Sequence, residues 1–431
     1  MLINTRAPFL SQSVQEDEIV NLSSELLAQR LSFLATAIEV QWLGAQSQSV
    51  LSSNPLTIDE RIWGPIFRPL SESTTLQSLE LTRVEVSPYF QQEILRIPTL
   101  RKLTLCDAIF IPTTITLPPA SIRVLVLQSL IFEQTAMEHL FRVLVNSLET
   151  LDIGTKCSET GVHRIYSILE STPLQRFATI RAPVQVLLKD LNHPFLFHAF
   201  ITVLHVSAAH SQSFPSVFPV TFLPKLRHLS APWRVAELLV PGRPVQVFRD
   251  TELKRLALST LESALGQLGA SAGNIEELEI CSVWTSPHIF KLLEKHLPHL
   301  KRLRVLGNAN TWYNPRLMRK CMAMEPKFGV QYAPIQEIEL WMELPPAARR
   351  PHQVSRPNCQ KLSMLFIPIC PSLELLSFVV TPNKFKTSER DISPRCIFKL
   401  RRMANGEWEE RGFGIKRPEG TRGFPTVDYQ L

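Results

Sequence analysis

Apolar residues along the chain recur in a triplet, apolar-x-x-apolar-x-apolar, that is typical of short buried strands. Two examples are Leu100/Leu103/Leu105 and Leu300/Leu303/Val305. The last two apolar positions lie two residues apart, so both side chains of an extended strand point to one side, into a core. The residue between them points to the opposite side. The pattern therefore predicts a series of strands, each with one buried face and one polar face.

The triplets are evenly phased. They start at residues 76, 100, 122, 148, 174, 201, 226, 253, 275, 300, 335 and 373, and every step up to residue 300 is 22 to 27 residues. This period falls within the ~20–29 residues of leucine-rich repeats. Helical spacing between triplets, as in Val162, Ile165 and Leu169, predicts a helix in the return to the next strand. An ordinary α/β domain also alternates strands and helices but rarely keeps such a regular period.

We therefore predict an α/β fold, an irregular leucine-rich-repeat solenoid (horseshoe) of about a dozen repeats with parallel strands on the concave face. Residues 61–395 form this solenoid, and residues 1–60 precede it as an N-terminal helical cap. Residues 396–431 form a C-terminal capping hairpin and tail, because Asn405-Gly406 is a strong hairpin-turn signal between two strand-like segments. A terminal hairpin protects the last edge of a parallel sheet.

Composition and charge narrow the class of protein. A hydrophobic content of 45% with 20% charged residues is ordinary for a folded chain. The seven cysteines are widely spread without metal-ligand spacing, so we expect reduced thiols in a cytoplasmic or nuclear protein. The most apolar long stretch, 194–209, is too short to cross a bilayer, and no membrane contact is expected.

The C-terminal third is basic. Residues 301–431 hold 22 basic and 12 acidic residues, a net charge of +10. Such a segment could attract nucleic acid or an acidic partner. The basic residues do not alternate with aromatic ones as stacking platforms require, so no specific nucleic-acid recognition is expected.

The sequence resembles the large fungal family of F-box and leucine-rich-repeat-like proteins. The resemblance rests on segments 226–230, 237–245 and 406–412, and it covers most of residues 70–412. It implies a protein-binding adaptor, the substrate-recognition part of an SCF-type ubiquitin ligase whose F-box binds the Skp adaptor. Segment 22–34 is similar to the first F-box helix, but Ser23 stands where the family has Pro and Arg30 at an apolar position. Residues 1–60 are thus a helical cap or an F-box remnant, and a free-standing scaffold or regulatory protein without ubiquitin-ligase coupling is the alternative.

One segment matches a catalytic motif. Gly269-Ala270-Ser271-Ala272-Gly273 fits GxSxG, in which the serine sits on a strained turn after a strand and before a helix. Here the predicted order is reversed, so we favour a helix end rich in small residues. A serine hydrolase that uses Ser271 is the remote alternative. We predict no catalytic residue, no metal site and no cofactor.

The polar face of the predicted strands is the expected partner site. The candidate residues are Arg255, Glu277, Glu279, Arg302, Arg304, Glu337, Glu339 and Trp341. Their charge alternates from strand to strand, which is typical of a lateral ladder in which neighbouring strands neutralise each other. The same positions could instead form a polar recognition strip with Trp341 as its anchor, since exposed Trp and Arg are frequent interface hot spots. The two interpretations are compatible.

Overall fold

The structure of the chain is a computed structural model. It describes residues 2–5, 39–43, 56–57, 74–82, 84–111, 118–128, 134–154, 157–172, 174–183, 196, 201–207, 219, 221–251, 258–281, 288–308, 334–343, 370–381, 395–403 and 406–416. The chain divides into two compact units. The N-terminal unit comprises Met1–Phe214 and Thr221–Lys225, and the C-terminal unit comprises Pro215–Val220 and Leu226–Leu431. The expected boundaries at residues 60 and 395 remain predictions.

The N-terminal unit contains a mostly parallel sheet and helical returns. Its strands are β1 Leu2–Thr5, β2 Glu39–Leu43, β3 Leu56–Thr57, β4 Ser78–Thr82, β5 Val84–Val86, β6 Lys102–Cys106, β7 Ile109–Phe110, β8 Val124–Leu127, β9 Thr150–Ile153, β10 Thr179–Pro183 and β11 Val203–Ser207. Its helices are α1 Pro88–Arg96, α2 Gln134–Val143 and α3 Glu159–Ser171. The main sheet runs β1-β2-β4-β6-β8-β9-β10-β11, and a small sheet runs β3-β5-β7. Only the β1–β2 pair of the main sheet is antiparallel among these described strands.

The C-terminal unit repeats this arrangement and ends in a hairpin. Its strands are β12 His228–Ala231, β13 Val247–Asp250, β14 Glu277–Cys281, β15 Arg302–Asn308, β16 Glu337–Glu343, β17 Leu375–Thr381, β18 Arg395–Arg402 and β19 Trp408–Lys416. Its helices are α4 Trp233–Leu239, α5 Leu258–Gly269 and α6 His288–His296. The sheet follows this strand order from β12 to β19. Strands β12 to β17 are parallel, and β18 and β19 are antiparallel.

The apolar triplets form the cores. In nine triplets, those starting at 76, 100, 122, 148, 201, 226, 275, 300 and 335, all three positions are at most 2% exposed. Apolar residues of the helices are buried with them, as Ile165 of α3 and Leu293 of α6 show. Hydrophobic burial of this kind is the main favourable term in folding. The predicted α/β class with a mostly parallel sheet is therefore confirmed.

Two triplets were wrong in the sequence analysis. In the copy starting at 174, the buried positions are Phe177, Ile180 and Ala182, so Thr179 lies on the non-core face. In the copy starting at 253, the last position, Leu258, is not in a strand, because it is the first residue of helix α5. The strand between β12 and β14 is β13, whose core positions Val245, Phe248 and Asp250 lie eight residues before the three expected leucines. It was missed because its last core position is an aspartate.

Gly406 lies in the turn of the C-terminal hairpin, between β18 and β19. Gly406 has φ 84°, the left-handed conformation that favours glycine, and its N–H donates to Met403 O at 2.9 Å. The two strands that flank this turn are β18, which ends at Arg402, and β19, which runs from Trp408 to Lys416. None of the helices among the described residues is long and apolar enough to cross a membrane.

Candidate functional site

Two rows of charged residues cross the non-core face of the C-terminal sheet. Row A contains Glu277 on β14, Arg302 on β15 and Glu337 on β16, which are register partners. Row B contains Arg249 on β13, Glu279 on β14, Arg304 on β15 and Glu339 on β16. Residues in register on neighbouring strands share a face, so each row runs straight across the sheet. We call the surface formed by rows A and B the charged face.

Row B is a closely bonded chain of ion pairs around one buried carboxylate, that of Glu279. Arg304 Nη1 donates to Glu279 Oε2 at 2.8 Å, and Arg304 Nε donates to Glu339 Oε2 at 2.6 Å. The Glu279 side chain is only 3% exposed, and Arg249 Nε lies 3.9 Å from its Oε2. Burial lowers the pKa of Arg304, but the attraction of Glu339 and Glu279 exceeds this effect, so its pKa lies above the ordinary value. Arg304 therefore stays charged and holds its two carboxylates in place.

Row A is more open to solvent. Arg302 hydrogen-bonds Glu277 through Nη1, and its Nε lies 3.6 Å from Glu337 Oε2. The side chains of Arg302 and Glu337 are 58% and 47% exposed. Ion pairs this exposed contribute roughly 0–1 kcal/mol, since water screens them. Row A therefore offers its charges to a partner more readily than row B.

A shallow groove of about 310 Å³ lies over the charged face. Both rows line it, together with Ser377 on β17 and Lys399 on β18. Lys399 is exposed, whereas Ser377 is buried in the groove floor. The groove offers carboxylates, guanidinium groups, an ammonium group and a hydroxyl, a set suited to binding a polar, charged surface.

Six of the eight residues expected at the partner site lie together on the charged face: Glu277, Glu279, Arg302, Arg304, Glu337 and Glu339. They form the lateral ladder described by the sequence analysis. Trp341 lies on β16 in register with Leu306 and Val379, but its side chain is outside the described residues, and its role as an anchor remains a prediction. Arg255 lies outside the described residues.

Three residues of the groove were missed in the sequence analysis. Arg249 supplies the basic residue of β13 in row B. Arg255 was expected beside Glu277, where the register partner is Val247. The signal was Val245-x-x-Phe248, whose two apolar residues are fully buried. Ser377 stands between the last two apolar positions of the triplet starting at 373, so the strand pattern places it on this face, but it carries no charge and was passed over. Lys399 could not be found from a strand pattern alone, since the antiparallel register of β17 and β18 brings it to the face.

No protein-family model matches the chain, and no curated protein matches it either. Within the described residues, no group of three or more His, Cys, Asp and Glu is arranged to hold a metal ion.

Ser271 lies in a turn after helix α5 and before strand β14, the reverse of the order that a nucleophile elbow requires. Its hydroxyl lies 2.9 Å from Arg243 O and 2.6 Å from Val245 O, and it accepts from Gly273 N at 3.2 Å. A Cβ at Gly273 would stand 2.4 Å from the carbonyl carbon of Pro244, so only glycine fits there. Ser271 thus joins two turns of the C-terminal unit.

The turn that Ser271 contacts is held by a buried arginine. Arg243 is 1% exposed, and it donates through Nη1 to Leu239 O at 2.8 Å and through Nη2 to Pro219 O at 2.5 Å. Burial lowers its pKa to about 10, so the guanidinium is still charged at neutral pH. Carbonyl oxygens that accept from a charged donor form strong hydrogen bonds. Pro241-Gly242-Arg243-Pro244 is therefore a structural turn of the C-terminal unit, just before strand β13.

Proposed function

We propose that the chain is a leucine-rich-repeat-like solenoid that binds a partner protein on the charged face of its C-terminal unit. The groove over rows A and B carries this proposal, because it gathers exposed polar groups from several successive strands. Repeat proteins use such multi-strand surfaces to bind partners. The resemblance to F-box and leucine-rich-repeat-like proteins supports the same role.

The solenoid interpretation is supported by three features. Successive strands pair in parallel, with helices in the returns that the structure describes. The apolar triplets that set the ~20–29-residue period of leucine-rich repeats supply the buried positions. An antiparallel hairpin ends the C-terminal sheet, in the place where repeat proteins need an end cap.

Recognition on this face depends on the pattern of charge, because the charges of each row are already paired. The net charge of such a surface attracts a partner only weakly. The surface still discriminates strongly between partners, because two like charges placed opposite each other cost on the order of several kcal/mol of binding free energy. The proposed partner therefore carries charges complementary to rows A and B. Trp341 is the proposed hot spot beside them.

A charge reversal at Arg302 tests the proposal. The full chain captures its partner from a cell lysate, the partner is identified by mass spectrometry, and purified partner is then titrated against variants. Arg302→Glu should weaken binding about tenfold or more, as loss of a charged interface contact does. Arg304 is not changed in this test, because its loss would leave the buried Glu279 without its 2.8 Å partner.

Lys295→Glu is the matched control. Lys295 is 61% exposed and pairs with Glu262 at 2.8 Å, much as Arg302 pairs with Glu277, but it lies on helix α6. Its reversal changes the net charge equally and should leave binding unchanged. Equal binding by both variants and the unchanged chain would remove the charged face as the partner site.

Coupling to a ubiquitin ligase is a further part of the proposal, and it rests on the resemblance of segment 22–34, which lies outside the described residues. Recovery of a Skp adaptor with the full chain, and its loss in Leu26→Glu, would support this coupling. Recovery of other partners alone would favour the free-standing scaffold. The charged-face partner should be retained in Leu26→Glu, so the two contacts can be told apart.

A further inference from the structure

The charge alternation of the charged face stops at one strand. Across β13 to β16, row B reads basic, acidic, basic, acidic, and row A follows the same rule from β14. On β17 the register positions are Leu375 in row A and Ser377 in row B, and neither is charged. Strand β17 is therefore a neutral strand next to the alternating charges of β14 to β16.

Beyond β17, the two rows end differently. Row A continues with Arg401 on β18 and Glu409 on β19, an opposite-charge pair whose members are both exposed. Row B continues with Lys399 on β18, and the register position beside it on β19 belongs to Arg411. The register neighbours of Lys399 are thus a serine and an arginine. Row B ends with a positive charge that its own row does not balance.

The local backbone supports a special role for this position. The β18–β19 register shifts between Phe398 and Lys399, where Gly412 is the extra residue on β19. Such β-bulges often re-aim a side chain next to a functional site. Lys399 is exposed and lines the groove, with Ser377 in the floor next to it. Lys399 and Ser377 are thus register partners on adjacent strands, and both line the groove.

We propose that Lys399 and Ser377 form the anion-binding end of the groove and receive an acidic side chain of the partner protein. The ammonium group supplies the charge, and the serine hydroxyl supplies a second donor to the carboxylate. This inference rests on the proposed function and names the chemistry of the partner at one end of the site.

The rest of the groove distinguishes an acidic protein segment from a nucleic acid. Glu337 and Glu339 lie on β16, two strands from Lys399, which is roughly 10 Å at the usual strand spacing. A run of phosphates that continued across the sheet would meet these carboxylates and be repelled. A protein segment can present an acidic residue to Lys399 and a basic residue to Glu337. Glu337 also lies two residues along the strand from the row of Lys399, so the partner segment carries both charges roughly 12 Å apart.

A simple anionic probe tests the acidic end directly. Fluorescein-labelled hexaglutamate is titrated with the full chain at low salt, and binding is followed by fluorescence anisotropy. Lys399→Glu should weaken binding about tenfold, the effect expected for loss of a charge-assisted hydrogen bond. Lys399→Gln removes the positive charge without reversing it and should also weaken binding. Lys399→Arg keeps the charge and should retain most of the affinity. Lys295→Glu, with the same change in net charge on helix α6, should bind as the unchanged chain does.

Each outcome decides the inference. An equal loss of hexaglutamate affinity in Lys399→Glu and Lys295→Glu would overturn the inference and leave net charge as the cause of binding. Unchanged affinity in Lys399→Gln would overturn it as well. A labelled oligothymidylate that bound more tightly than hexaglutamate, and lost affinity in Lys399→Glu, would overturn it in favour of nucleic acid. If the Arg302→Glu test fails while hexaglutamate still depends on Lys399, the anion site stands and the proposed partner-binding function does not.

Discussion

The two units arrange the charges on the non-core face of their sheets in different ways. Row B of the C-terminal unit places opposite charges on each pair of neighbours among Arg249, Glu279, Arg304 and Glu339. The comparable row of the N-terminal unit reads Glu80, Thr104, Val126, Asp152, Arg181 and His205. Small and β-branched residues interrupt this second row. One face is therefore an ordered charge pattern, and the other is mixed.

Asp152 and Glu279 show the consequence of that difference. Asp152 is half-buried between Val126 on one side and Arg181 on the other, and burial raises its pKa despite the attraction of Arg181 and Lys102. Glu279 is more deeply buried, but Arg304 donates to it and Arg249 lies beside it. A buried charge is stabilised when the register supplies opposite charges on both sides. The charged face meets that condition, and the N-terminal row does not.

The largest expected effect comes from breaking row B. Arg304→Met keeps the apolar part of the side chain but removes the donor to Glu279 and Glu339. Loss of one partner of a buried pair costs about 3 kcal/mol of unfolding free energy, because the other charge stays buried. Hydrogen exchange of peptides from β14 to β16, followed by mass spectrometry, measures this loss within the C-terminal unit.

Arg302→Met is the matched control, since it removes the same group from the exposed row A and should cost less than about 1 kcal/mol. Adding Glu279→Gln to Arg304→Met should recover part of the loss, because the unpaired carboxylate is then gone. Equal losses from the two arginine variants would show that burial does not distinguish row B from row A.

Much of the fold follows from the sequence, because the triplets record which side of each strand is buried. The charge ladder of β14 to β16 follows as well, since parallel strands with the same triplet phase stack in register. Strand β13 does not, because Asp250 occupies its last core position and the leucines at 253, 256 and 258 imitate a triplet. The place of Lys399 on the charged face could not be predicted from the sequence either, because it depends on the antiparallel register and on a β-bulge, neither of which the apolar periodicity encodes.

An amide in place of a carboxylate should have opposite effects in the two units. Asp152→Asn should raise the unfolding free energy of the N-terminal unit by roughly 1 kcal/mol at neutral pH, since it removes a half-buried charge. Glu279→Gln should lower the stability of the C-terminal unit, because it weakens the bond to Arg304. Urea unfolding and peptide-resolved hydrogen exchange measure both. A loss of stability in both variants would contradict the comparison.

The sign of the pH dependence follows from the pKa of Asp152. Burial raises the folded-state pKa above the unfolded value, so folding favours the protonated carboxyl. The penalty is absent below the unfolded pKa of about 3.9 and grows as the pH rises through the folded pKa. The gain from Asp152→Asn should therefore be present at neutral pH and vanish in acid. A gain that persisted in acid would point to a cause other than charge.

The smallest expected effect is the coupling energy between Glu277 and Arg302 in row A. Its dependence on salt distinguishes an exposed ion pair from a buried one. A double-mutant cycle of Glu277→Gln and Arg302→Met should give a coupling energy of about 0.5 kcal/mol, since Arg302 is 58% exposed. In about 1 M salt the Debye length falls to ~3 Å, so this coupling should disappear. The same cycle on Glu279 and Arg304 should keep most of its coupling, because salt screens buried pairs much less. If the coupling energy of row A also persisted in salt, its charges would be paired with each other as strongly as those of row B. Row A would then no longer be the better place for a partner to bind.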